Sequence, residues 1–199
     1  MNPADLIAAL RHATSAQHAI LDSGLPLAQP DAGLAAYVAH LRMLARWLGP
    51  INAWLGQFSD GPQGPGAPPP LDRLAGIIAD LAAAGEPAPP PDLHAAWPAH
   101  ASPAYRWGVA YVVEGSQLGG AVLYQRLAER LAPHPLAYLK PPADGPGPRW
   151  RAVMAALRAQ VRTDAELADA CDGACAAFAR VLALGGTVPA VVEAQARLP

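Results

Sequence analysis

The sequence predicts an all-α fold, and three observations carry that reading. Ala- and Leu-rich segments follow a helical period, alternating β-branched runs are almost absent, and the prolines cluster between those segments. The 23 prolines concentrate in stretches near residues 59–70, 85–92 and 141–148, which read as Pro/Gly-rich loops. Between them the pattern predicts helices over 3–22, 32–48, 51–57, 71–84, 103–132, 149–160, 164–184 and 187–196. No internal repeat is evident.

The first helix carries Leu6, Ile7, Leu10, Thr14 and Leu21 at helical spacings, an amphipathic stripe. The segment from Tyr105 to Leu131 is the longest and most apolar, with Glu114 almost its only charge before Arg126. It is expected at the centre, buried on several sides. Helix 164–184 presents Leu167, Cys171, Phe178 and Leu182 as a core stripe. Cys171 and Cys175, one turn apart on it, are expected to be small buried apolar residues rather than a redox pair.

At 199 residues and 52% apolar, the chain is long enough to bury a sizeable core and is expected to form one domain, 1–199. A formal net charge of −2 argues against a nucleic-acid binder. The single lysine, Lys140, reads as a bias of genomic base composition. Apolar content and aperiodic Gly/Pro spacing exclude collagen, coiled coil and disorder. No apolar run reaches the ~18 residues of a membrane span, and no signal-peptide pattern opens the chain. Two cysteines are too few for a disulfide framework or a zinc site, so a reduced, cytoplasmic protein is expected.

Common catalytic signatures are missing: no HExxH, no Walker loop, no G-x-S-x-G elbow, no G-x-G-x-x-G. None of the six His follows a Glu by three, which removes the di-iron bundle. Chemistry would therefore come from a cofactor. Two local features bear on which one.

His18 lies seven residues after Arg11. Two turns with a slip of about 20° put both on one face, about 10.5 Å apart along the axis. Ile7 and Leu21 extend that face with apolar surface. The pair reads either as ordinary surface residues or as an axial heme ligand with a cation placed for a propionate. The second feature is Glu114-Gly115-Ser116-Gln117-Leu118-Gly119-Gly120 in the central helix. Three interior glycines cost a helix roughly 3 kcal/mol relative to Ala. They serve either close helix packing or a kink, or a bare backbone laid over a flat ligand with room for a small gas molecule.

Taken together, Leu10-Arg11-His12-Ala13-Thr14 leading to His18 and Leu21-Asp22, then Tyr111-Val112-Val113-Glu114-Gly115-Ser116-Gln117-Leu118-Gly119-Gly120, resemble the heme oxygenase family. The likeness is greatest to its bacterial branch, linked to iron acquisition and to bacteriophytochromes. The resemblance implies a helical fold with heme sandwiched between a proximal and a distal helix. It implies His18 as the iron ligand, and Gly115, Ser116, Gly119 and Gly120 as the distal helix. It places Arg11 and Tyr111 toward propionates, with Arg151 a further candidate. Many family members carry Asp where Ser116 stands, to order the water that protonates bound dioxygen. Here the backbone and Ser116 would hold that water.

The implied reaction opens heme to biliverdin, carbon monoxide and ferrous iron, using dioxygen and external electrons. A Gly-rich distal face offers no strong acid or base to drive O–O cleavage, so the porphyrin itself is attacked. No flavin or iron–sulfur motif is present, so a ferredoxin or flavoprotein reductase is the expected donor. The main alternative is a protein of this fold that binds or hands on heme without degrading it, and a cofactor-free helical interaction module is a third.

Overall fold

The computed structural model describes residues 3–90 and 96–185, and among them it contains six α-helices and no strand. They are α1 (Pro3–Gly24), α2 (Leu34–Leu55), α3 (Arg73–Ala83), α4 (Pro103–Leu127), α5 (Gly147–Gln160) and α6 (Asp164–Leu184). Short 3-10 helices lie at Pro26–Ala28 and Gly61–Gln63. The all-α expectation holds. The helix expected over 187–196 lies outside the described residues.

Local chemistry accounts for several helix starts. Asp72 accepts from Ala75 N at 3.1 Å, and Ser102 accepts from Tyr105 N at 3.1 Å just ahead of Pro103. Thr163 and Glu166 form a reciprocal capping box at the head of α6.

Two expectations need correction. The segments 32–48 and 51–57 are one helix, because α2 runs through Pro50. An interior proline costs about 3 kcal/mol. Trp47, Leu48, Ile51, Trp54 and Leu55 are all buried around it, and burying each such side chain returns about 1.5–3 kcal/mol. The central helix stops at Leu127 rather than 132. The Pro-rich stretch 61–70 is a loop as expected, apart from its short 3-10 helix, and it is packed in place: Gly61 is buried at φ 59° against Pro103, and Pro69 O accepts from Arg149.

The α1 stripe is buried at Leu6, Ile7, Leu10 and Thr14 and half-buried at Leu21. As expected, α4 is central, buried continuously from Tyr111 to Val113 and at most positions before them. It crosses α6 at glycines: a Cβ on Gly108 would stand 1.9 Å from Ala170 O, and one on Gly173 2.0 Å from Tyr105 O. Only bare backbone permits that approach.

On α6, Phe178 and Leu182 are buried, whereas Leu167 and Cys171 are half-buried. The cysteines are free thiols, both only half-buried, so the fully buried placement expected for them does not hold. Burial nonetheless pushes both thiols up. Cys175 faces α1, its Sγ 3.4 Å from Ala13 O, while its own carbonyl accepts from Gln17 at 3.1 Å. Thus α6 packs on both α1 and α4, which make only slight direct contact with each other.

Candidate functional site

On α1, His18 is exposed, and its Nδ1 pairs with Asp22 Oδ2 at 2.9 Å one turn later. With Nδ1–H donating to the carboxylate, the lone pair of the imidazole is on Nε2, which faces away from Asp22. The ring lies 5.8 Å from that of Phe178 on α6, at 57°. Arg11, also exposed, lies close enough to the Tyr111 hydroxyl of α4 for its charge to act on the phenol. Burial pushes the Tyr111 phenol up, and the charge of Arg11 opposes it.

Arg11 and Tyr111 are therefore where α1 and α4 come near each other on this side. From there, α1 runs about 10.5 Å to His18, and α4 runs about 12 Å to Gly119. Tyr111, Gly115 and Gly119 follow one another at four-residue steps and so share a face of α4.

That face is open. A Cβ on Gly119 would meet nothing within 4 Å, and one on Gly115 would meet only the Trp150 ring, at 3.6 Å. Trp150, on α5, also tilts against Tyr111 with ring centroids 5.5 Å apart. Gly120 does not belong to this face: it is buried toward Leu139, 3.6 Å from where its Cβ would be.

Ser116 sits at the shoulder of the open face. Its hydroxyl donates to Val113 O at 2.7 Å, so its one proton is engaged in the helix. Glu114 is drawn off to another flank, where Arg73 (2.5 Å) and Arg149 (2.8 Å) clamp its carboxylate. Burial disfavours its charge, but the hydrogen bonds and charges of Arg149 and Arg73 outweigh burial and hold the carboxyl below its ordinary value. A cavity of about 70 Å³ adjoins that clamp, lined by Gln63, Pro68, Trp107 and Val153 among others. The clamp and cavity leave the glycine face free of carboxylate.

The structure thus brings together Arg11 and Tyr111, and lines Gly115 and Gly119 up with them. Arg151 stands apart: it is exposed on α5, its guanidinium folded against Gly147. Its neighbour Trp150, which sequence reasoning passed over, is the α5 side chain that reaches the glycine face. Asp22 was also passed over as a partner, although its i, i+4 spacing from His18 is visible in the sequence.

The residues fit a porphyrin. Among the described residues, no group of three or more His, Cys, Asp or Glu could hold a metal ion. One imidazole with a free Nε2 suits an iron whose other ligands come from a macrocycle. The bare backbone suits a flat face, and Arg11 suits a carboxylate edge. No helix among the described residues is long and apolar enough to cross a membrane.

Comparison with known proteins agrees with this geometry. The family model described as Heme oxygenase matches residues 4–184. A curated relative named Heme oxygenase, from Xanthomonas campestris pv. campestris (strain 8004), is 39% identical over 114 residues. That match covers 54% of this chain and 63% of the relative's length. A crystal structure of the NO- and CO-bound heme oxygenase from Neisseria meningitidis superposes with a TM-score of 0.69. It covers 93% of this chain and 94% of that one at 23% identity, a likeness of fold.

Proposed function

The chain belongs to the heme oxygenase family, and from that membership we propose that it cleaves heme to biliverdin, carbon monoxide and ferrous iron. The observation that carries the proposal is the open Gly115–Gly119 face, brought near the helix that bears His18 at Tyr111 and Arg11. Heme is the substrate and supplies the dioxygen chemistry that opens its own ring.

The protein's part is placement. His18 would hold the iron through Nε2, with Asp22 fixing the tautomer and the plane of the ring. Arg11 and Tyr111 would hold a propionate, which sets the rotation of the macrocycle and so the meso carbon presented to dioxygen. Gly115 and Gly119 let the backbone close over the porphyrin and crowd the bound gas toward one edge. Glu114, neutralised by two arginines, leaves no acid or base on that face to divert the oxidising power away from the ring. Gly120 lies behind the helix and Arg151 apart from it on α5, so neither has more than a supporting place.

Electrons would come from a separate ferredoxin or flavoprotein reductase, and the protein would work in the cytoplasm. Its product would serve either iron supply or a bacteriophytochrome chromophore.

The test is spectroscopic. Hemin added to the protein is expected to give a Soret band, and ascorbate or a reductase system should then convert it to a biliverdin spectrum. A stable Soret band under reduction would make the protein a heme carrier, and no Soret band would leave it a cofactor-free helical module.

A further inference from the structure

A buried carboxylate on α3 organises the segment that follows α4. Asp80 is fully buried and accepts from Tyr37 Oη at 2.6 Å, from Ala137 N at 2.8 Å and from Tyr138 N at 2.8 Å. Gly76 on the same helix comes so close that a Cβ there would lie 3.4 Å from Tyr138 Cα. His134 Nε2 meets Asp80 O at 2.9 Å. A carboxylate is costly to bury unless fully hydrogen-bonded, so this arrangement fixes the backbone at Tyr138 rigidly.

The Tyr138 side chain runs from that anchor, itself only 8% exposed, to the distal helix. Gln117 Nε2 donates to its hydroxyl at 3.1 Å and lies 3.5 Å from Ser116 Oγ. Gln117 thereby links the phenol to Ser116 Oγ. Since Ser116 gives its own proton to Val113 O, its lone pairs remain open to a donor. Burial keeps the phenol protonated, against the hydrogen bond of Gln117 and the charge of Arg73 from α3. Tyr37, on α2, is likewise held as a phenol by burial and Asp80.

We propose that Tyr138 is a positioning residue for the distal helix: a phenol braced by Asp80 that fixes the Ser116 hydroxyl and the Gln117 amide beside the Gly115–Gly119 face. This rests on the heme reading above. Ser116 stands where a proton donor to the bound gas would be ordered, but its hydroxyl is turned into the helix. Tyr138, bonded to Gln117, is the buried phenol behind it, so it sets how that shoulder of the site is held.

The experiment uses the hemin complex of the whole protein and Tyr138→Phe, which keeps the ring and removes the hydroxyl. The readouts are the pH midpoint of the visible-spectrum transition of the ferric complex and the biliverdin isomer ratio. Tyr138→Phe is expected to leave the Soret band in place, move the midpoint by roughly half a pH unit or more, and broaden the isomer ratio; that is the scale of one hydrogen bond. Ser116→Ala should move the midpoint too, and the double variant no further than Ser116→Ala alone. A Tyr138→Phe protein with wild-type midpoint and isomer ratio overturns the proposal, and so do additive shifts. If Tyr138→Phe does not fold, Gln117→Leu cuts the same brace from the helix side, and a wild-type spectrum from it is equally decisive. A wild-type protein that gives no Soret band refutes the heme reading instead.

Discussion

Nδ1 of His18 donates to Asp22 Oδ2 at 2.9 Å, across one turn of α1 and at a surface where both side chains are more than half exposed. A polar contact so exposed adds little to folding, on the order of 0.5 kcal/mol or less. Its value lies in holding the imidazole in one tautomer and one orientation. Asp22→Ala is therefore expected to leave the melting temperature within a degree or two, and to weaken ferric heme binding about tenfold. Asp22→Asn, which can still accept, should fall between. His18→Ala should lose the His-ligated spectrum and regain it with added imidazole. Hemin titration measures all three, and an unchanged His18→Ala spectrum would assign the ligand to another His, such as His12 or His40.

The glycines of α4 divide into two kinds, and substitution separates them. Gly119 has open space where its Cβ would be, and an interior Gly costs a helix about 1 kcal/mol relative to Ala. Gly119→Leu is therefore expected to melt no lower than wild type while binding heme at least tenfold more weakly. At Gly108 a Cβ would overlap Ala170 O at 1.9 Å, so Gly108→Ala must push α4 off α6, at a cost of about 3 kcal/mol or more. Melting curves and hemin titrations of the two variants should show opposite patterns. A collapse of Gly119→Leu with normal heme binding would assign that glycine to helix packing.

Much of this was legible in the sequence, for reasons that separate into local and long-range. The α1 stripe, the start of α4 at residue 103 and the two motifs depend on spacings within one helix, which sequence displays directly. Pro50 misled because the burial of Trp47, Ile51 and Trp54, which holds α2 together through it, is a tertiary effect. Gly108 and Gly173 meet only when α4 and α6 cross, and nothing near either marks the crossing. Trp150 and Tyr138 reach the distal helix from segments 20 or more residues away in sequence, so no local pattern announces them. Asp22 was within reach of the i, i+4 rule.

Acid sensitivity should begin with His40. Its Nδ1 is buried without a partner, and burial pushes the ring down from 6.5 to about 4. Between those values the unfolded chain binds a proton that the folded one refuses. Stability is thus full above pH 6.5 and falls as pH drops toward 4, with a slope approaching about 1.4 kcal/mol per pH unit. Glu114 acts in a lower window: its carboxyl is held below its ordinary 4.5, so its contribution is present above 4.5 and lost as pH falls beneath it. Urea unfolding of the heme-free protein at pH 7.5, 6.0 and 5.0 should show the His40 slope, and His40→Leu should flatten it. An equal slope in the variant would move the effect to other groups.

Arg11 is where the fold and the proposed chemistry meet, because α1 comes near α4 there, beside Tyr111, in the heme-free protein. When heme enters, the guanidinium, two turns from His18 on the same helix, would be placed to meet a propionate. The contact is at an exposed rim, so Arg11→Ala should weaken heme binding only severalfold. Orientation should suffer more, because the propionate anchor decides which meso carbon faces the bound gas. Turnover is expected to persist with a shifted or broadened set of biliverdin isomers. Tyr111→Phe should shift the isomers in the same sense but less, and the double variant should match Arg11→Ala if the two act as one anchor. Chromatography of the products measures each ratio. An Arg11→Ala protein with the wild-type ratio and wild-type heme affinity would reduce Arg11 to a surface cation that does nothing to the substrate.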